Sequence, residues 1–319
     1  MKSKPRVFDM TFKRPQIIRP PSEWRSYFLP LTKGCSNNTC TFCGYYGSRL
    51  RLRPLEDVQE EIDALALFMN SRFYHPTMPA IVYEIARSWD GKRVFLQDGD
   101  ALVYPFQKLV TILEHLNEKF PSLERISTYA TPQDILRREP NELKELKKLK
   151  LGIFYQGVES GDDEVLKRVK KGVDHDQMAE AGRKVKEAGI ALSVTVILGL
   201  GGREGSKKHA LETARVLTEI DPDFVGALTL TLVPNTPLYD RWRNKEFCLI
   251  SPFESLEELK TIIENCSFTD CFCSSMHASN YFALRGRLPY DRERMLEELD
   301  DILEKRDTSL LRPDFMRGL

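Results

Sequence analysis

GCSNNTCTFCGYY, residues 34–46, sets Cys35, Cys40 and Cys43 within nine positions, with four residues in the first gap and two in the second. It follows a short apolar run at residues 27–31, so the thiols lie on a loop leaving a predicted strand. A loop this rich in small and polar residues can wrap a metal centre. Three thiolates on three irons of a cubane leave the fourth iron open to an outside ligand, and Gly34, Ser36, Asn37, Asn38 and Thr39 let backbone N–H groups turn toward sulfur. The same spacing also suits a structural zinc site or a plant-type [2Fe–2S] site completed by a distant cysteine such as Cys266.

Working outward, short β-branched or aromatic runs at residues 93–96, 125–129, 152–155, 192–198 and 224–232 alternate with segments of helical periodicity. Leu55, Val58, Ile62, Leu65 and Met69 form one apolar stripe, and Phe106, Leu109, Val110, Leu113 and Leu116 another. This order predicts an α/β fold: a partial (β/α)6 TIM-like barrel with a mainly helical C-terminal extension. The division expected is an N-terminal arm over 1–24, a core barrel over 25–240 and an extension over 241–319 that acts as substrate lid and helices. The run KELKKLK at residues 144–150 reads as a solvated helix face.

Lys plus Arg number 47 and Asp plus Glu 47, so no net field draws the whole chain to nucleic acid or an anionic membrane. No apolar run is long enough for a transmembrane helix or a secretory signal. With seven cysteines, an odd number in separated groups, a disulfide framework is not expected. These features predict a soluble cytoplasmic protein with a small-molecule substrate and no nucleic-acid or membrane partner.

With CTFC closing the cysteine loop and the strand order above, the chain resembles the radical SAM superfamily, in particular the branch of oxygen-independent coproporphyrinogen oxidase and the methylthiotransferases. The likeness spans about Tyr27 to Tyr239. It implies that Cys35, Cys40 and Cys43 hold a [4Fe–4S] cluster that cleaves S-adenosylmethionine (SAM) to a 5′-deoxyadenosyl radical, which abstracts hydrogen from a substrate. An electron donor such as ferredoxin or flavodoxin is implied with it, under anaerobic conditions. Coproporphyrinogen oxidation is one activity of the branch. An additional N-terminal cluster domain like that of the methylthiotransferases is not expected ahead of the cysteine loop. The reading from a different class is a non-catalytic electron carrier or a zinc-stabilised binding module.

The resemblance also assigns contacts. Phe42 lies near the adenine; Gly99 and Asp100, in the DGD turn after the second strand, receive the methionine ammonium; Glu159 takes the ribose hydroxyls and Lys171 the carboxylate. On the fifth strand Ser193 or Thr195 meets the ribose, and Ile197 with Leu198 contacts the adenine. In the extension, CSFTDCFCSSMHASNYF (residues 266–282) reads as an irregular segment. It is a lid in which His277, Asn280 and Tyr281 touch substrate and Cys271 or Cys273 donates a hydrogen atom, a second metal site, or a packed surface loop. His75, His115, His175 and His209 carry no ligand spacing.

Overall fold

The computed structural model describes residue 12 and residues 21–72, 74 and 76–318. Most of the predicted N-terminal arm and His75 lie outside the described residues. In chain order the elements begin with β1 (Tyr27–Pro30), β2 (Thr32–Lys33), β3 (Arg51–Leu52), α1 (Leu55–Ser71), α2 (Ala80–Ser88), β4 (Arg93–Gln97) and α3 (Phe106–Lys119). They continue with β5 (Arg125–Tyr129), α4 (Pro132–Arg137), α5 (Pro140–Lys148), β6 (Leu151–Glu159), α6 (Asp163–Arg168), α7 (His175–Glu187) and β7 (Ala191–Leu198). The remainder is α8 (Gly202–Ile220), β8 (Phe224–Thr229), α9 (Pro237–Arg243), α10 (Pro252–Asn265), β9 (Cys271–Ser274), β10 (Arg285–Leu288) and α11 (Arg292–Lys305).

Strands pair in the order β1-β4-β5-β6-β7-β8-β9-β10, parallel throughout except for the last pair. The six predicted βα strands are therefore neighbours in sequence order, as in a partial barrel. Parallel strands covered on both faces read as continuous apolar runs. Here β7 alternates instead: Leu192, Val194, Val196 and Leu198 are buried in the helix-facing core, whereas Ser193, Thr195 and Ile197 are only half-buried. The second set lines the inner face of an open barrel. Below the candidate site that interior is filled by Phe95, whose ring lies 6.0 Å from Phe28, 5.0 Å from Tyr129 and 5.6 Å from Tyr155. Glu23 closes it from the strands' N-terminal ends, accepting from the Tyr155 hydroxyl at 2.8 Å and pairing with Arg125 at 2.7 Å.

Boundaries shift where hydrogen bonding overrides composition. β6 runs on to Glu159, pairing Gly157 with Thr195, whereas β8 stops at Thr229, ahead of Pro234 and Pro237. The extension is mainly helical, as expected, with one short two-stranded addition. Its cysteine-rich stretch contains β9, which adds to β8 in parallel, and β10 returns antiparallel to it. α10, started by a Ser251/Glu254 capping box with Pro252 in its first turn, packs on α8, and α11 packs on α10.

Candidate functional site

The cysteine loop is pinched at its base by the β2–β3 ribbon, where Lys33 faces Arg51 and Thr32 faces Leu52. Inside it, Cys43 N–H donates to the Cys40 carbonyl at 3.2 Å, and Gly47 N–H to the Asn38 carbonyl at 2.8 Å. Thr41 ties it to the barrel top, donating its N–H to Val169 and accepting from Leu238. All three thiols are free, Cys40 buried and the others half-buried. Two N–H groups approach sulfur: Asn37 Nδ2 lies 3.2 Å from Cys40 Sγ and the Tyr45 amide 3.5 Å from Cys43 Sγ.

Burial, with Asp100 adding to it, pushes the Cys35 thiol up to about 12. Burial likewise takes Cys40 to about 11, against the opposing pull of Lys171, and raises Cys43. Unaided, these thiols stay protonated and are not poised as nucleophiles. A bound metal centre would displace their protons. Among the described residues no three or more His, Cys, Asp or Glu side chains are arranged around a single metal ion. Cys266, the distant fourth ligand that a zinc or [2Fe–2S] site would draw on, is buried behind β9 with its thiol on the Ile263 carbonyl and Arg292 nearby.

The DGD turn clasps this loop. Asp98 accepts from the Tyr45 hydroxyl and, at 3.4 Å, from the Gly34 amide. Gly99 has φ +28°, and a Cβ there would stand 2.4 Å from the Gly34 carbonyl oxygen, so only glycine allows the two loops to touch. Asp100 is fully buried and accepts from Ser36 Oγ at 2.8 Å, the Leu102 amide at 2.9 Å and the Thr131 amide at 3.4 Å. Burial, with Asp134 alongside, holds its carboxyl well above the usual range. Burial alone would also raise Asp134, but hydrogen bonds from Asp100, Ser36, Thr131 and Arg137 outweigh it and lower it. Of the two acids, Asp100 is the one that holds a proton more readily. Asp100 is not the free acceptor expected from the sequence: its side chain locks the turn to the cysteine loop and to the start of α4.

Glu159 ends β6 in a left-handed conformation (φ +64°), just after a register shift. Its carboxylate pairs with Lys171 Nζ at 3.0 Å, and both residues are buried. A Cβ on Gly157 would lie 2.0 Å from the Glu159 carboxylate, so the pair rests directly over that glycine on the inner face. Burial opposes the Lys171 charge, but Glu159, Cys40 and Cys35 outweigh it and raise its pKa. The ammonium is therefore within electrostatic reach of the cysteine loop. The Lys171 carbonyl accepts from Asn37 Nδ2 at 2.5 Å and Gln133 Nε2 at 2.6 Å. Thr195 stands between Gly157 and Gly226 in register, and a Cβ on Gly226 would meet only ordinary van der Waals contacts.

The structure thus brings the cysteine loop, the DGD turn, Glu159, Lys171 and Thr195 to one side of the barrel, whereas Ser193 stands level with Tyr155, nearer the closed end. Phe42 and Ile197 both pack against a small apolar cluster of Val165, Val169, Leu200, Leu230, Leu238 and Phe247. The sequence profile of the radical SAM superfamily matches residues 29–215, over half of the chain. The chain belongs to the radical SAM superfamily.

Enzymes of this superfamily use a [4Fe–4S] cluster and SAM. The chain is 24% identical over 223 residues to a Methanocaldococcus jannaschii protein assigned as a methylthiotransferase, covering 67% of this chain and 43% of that one. It is 26% identical to the tRNA-2-methylthio-N(6)-dimethylallyladenosine synthase of Aromatoleum aromaticum, covering 68% and 46%. It thus spans less than half the length of these curated relatives. Among solved structures, coproporphyrinogen III oxidase from Escherichia coli superposes with a TM-score of 0.53 at 17% identity, over 75% of this chain and 51% of that one. This is a likeness of fold.

Several expected residues of this radical SAM protein stand elsewhere. Leu198 points into the helix-facing core and its carbonyl accepts from the Leu230 amide, so it does not face the cofactor side. The alternation of β9 turns Cys271 and Cys273 outward into that same core, away from the inner face; radical quenching by either thiol does not fit. Hydrogen bonding from Cys271, together with burial, raises the Cys273 thiol well above its usual value. Asn280 is used up by Thr229, Ala227 and Ser275. Tyr281 is buried with its hydroxyl on Asp314 and Arg317, holding the chain end. His277 bonds Ser279, and burial, aided by Arg312, lowers its pKa. Asn280 thus ties the extension to β8, and His277 and Tyr281 fasten it internally.

Other supporting residues carry no sequence signal. Glu258 of α10 accepts from the Gly199 amide at 2.7 Å and Ser206 Oγ at 2.6 Å, bracing the glycine-rich end of β7. His209 bonds Ser160 at 2.8 Å and the Ile197 carbonyl at 3.1 Å. Among the described residues no helix is long and apolar enough to cross a membrane.

Proposed function

We propose that this chain is a SAM-cleaving enzyme in which Cys35, Cys40 and Cys43 hold a [4Fe–4S] cluster. The observation that carries the reading is the buried Glu159–Lys171 pair over Gly157, tied to the cysteine loop by Asn37, whose amide nitrogen donates to the Lys171 carbonyl and lies 3.2 Å from Cys40 Sγ. A buried pair held beside three free thiols on one loop is a setting for a zwitterionic ligand next to a metal centre. The donor set fits: three free thiols on one loop and two N–H groups directed at sulfur.

When bound, the reduced cluster supplies the electron that breaks the SAM sulfonium bond, yielding methionine and a radical that takes hydrogen from substrate. The chain's own residues position and shield. Lys171 is the partner for the SAM carboxylate and Glu159 for its ribose hydroxyls, the two exchanging part of their mutual ion pair for the ligand. Gly99 lets the DGD backbone approach the methionine end, Thr195 faces the sugar, and Phe42 with Ile197 offers an apolar surface to the adenine. Phe95, Tyr129, Tyr155 and Glu23 close the barrel from below and limit water.

The substrate class is a small molecule, or a base of RNA as in the tRNA-modifying relatives; balanced net charge alone does not argue against the second. Anaerobically reconstituted protein given dithionite and SAM is expected to release 5′-deoxyadenosine, and Cys40→Ala to release none. Zinc alone by metal analysis, or no product from the intact chain, overturns the reading.

A further inference from the structure

From Lys33 to Arg53 the chain holds no aspartate or glutamate, although acids and bases balance at 47 each over the whole molecule. Within this stretch Lys33, Arg49 and Arg51 are exposed. Lys33 and Arg51 stand directly opposite each other on the β2–β3 ribbon. Like charges at facing positions on paired strands destabilise the pairing, and no acidic partner relieves them among the described residues. Arg53, next along the same strand direction, shows the contrast: it is buried and bound to Glu61 at 2.6 Å. Lys170, also exposed, joins from the other side of the loop, its carbonyl accepting from Thr39 Oγ1 at 3.1 Å. Two exposed apolar residues, Tyr46 at 39% and Leu52 at 44% exposure, lie among these charges.

We infer that this ribbon is the docking surface for an acidic electron-transfer protein that reduces the cluster. The inference rests on the proposed cluster at Cys35, Cys40 and Cys43. Each SAM cleavage consumes one electron, which must come from outside the chain. The ribbon at the base of the cysteine loop is a short route to it, because Lys33, Arg49 and Arg51 each lie within eight residues of a thiol on that loop, while the opposite side of the site faces the barrel. Redox encounters use small interfaces steered by complementary charge. A few unpaired cations around two exposed apolar side chains match a small acidic carrier. RNA commonly engages proteins through several phosphate contacts spread along the backbone, and a patch this small is a poor site for it on its own. In the step itself one electron leaves the reduced carrier, a flavodoxin or a ferredoxin, and enters the cluster; no bond is made or broken.

The test compares the intact protein with a Lys33→Glu, Arg49→Glu, Arg51→Glu variant and with a milder triple glutamine variant, all reconstituted and checked for iron content. Cluster bleaching is followed in stopped flow with reduced flavodoxin as donor, and separately with dithionite. The expected result is a loss of about tenfold or more in the flavodoxin rate, a flatter dependence on salt, and an unchanged dithionite rate. Equal flavodoxin rates in variant and intact protein overturn the inference, as does an equal loss with both reductants. Loss of binding to a tRNA probe with the flavodoxin rate intact overturns it in favour of an RNA surface. Failure of the intact protein to load iron, by contrast, removes the cluster reading itself.

Discussion

Lys171 concentrates more of this site than any other single residue. Its ammonium holds Glu159 at 3.0 Å and its carbonyl receives Asn37, which also reaches Cys40 Sγ. Removing one member of a buried ion pair strands the other charge, at about 3–5 kcal/mol. Lys171→Met is therefore expected to lower unfolding free energy in denaturant by that order. Glu159→Gln should do likewise, and the double variant should lose much less than the sum of the two. Additive losses would show that the pair is not coupled. Asn37 falls in the four-residue first gap, and no pattern in the sequence announced its role, because its two partners are 3 and 134 positions away.

At the scale of elements, strand alternation decides which side chains reach the site. On β7 it presents Ser193 and Thr195 inward and sends Leu198 outward; on β9 it sends Cys271 and Cys273 outward. Replacing both thiols by alanine is accordingly expected to leave 5′-deoxyadenosine formation at the level of the intact protein, while small core cavities lower stability by about 1 kcal/mol each. Measured product yield and denaturant midpoints check this together; loss of product at unchanged stability would return the thiols to the chemistry. The two long apolar stripes were legible as α1 and α3 because a period of 3.6 is a local property. The strand hidden in residues 266–282 was not, because β9 forms only where β8 offers an edge in register.

Across the whole molecule, the extension braces the barrel from outside. Glu258 on α10 reaches the Gly199 amide at the end of β7, and burial raises its carboxyl from the ordinary 4.5 to about 7. The sign follows from linkage: the folded state keeps the proton longer than the unfolded chain, so a penalty grows as pH rises from about 4.5 and is complete above about 7. Glu258→Gln removes that penalty. Relative to the intact protein, the variant is expected to gain stability across this window, by at most roughly 3 kcal/mol at the alkaline end, as read from urea unfolding at stepped pH. A constant difference at all pH values would show that Glu258 does not titrate there. His209, 3.8 Å from the Glu258 carboxylate, has its pKa lowered by burial to about 4 and so stays neutral across most of this window.

By itself the sequence determined the βα order, the loop that carries three thiols, and the turn and strand ends where a ligand would be met, since each depends on residue types at short, regular spacings. Tertiary structure alone decided what those residues do to one another: that Asp100 is buried against Ser36 and Thr131, that Glu159 and Lys171 pair over Gly157, and that the C-terminal thiols belong to the core. The physical reason is that burial and pairing arise from contacts between distant segments. The cysteine loop became a candidate site through what closes around it, the DGD turn on one side and Lys171 on the other.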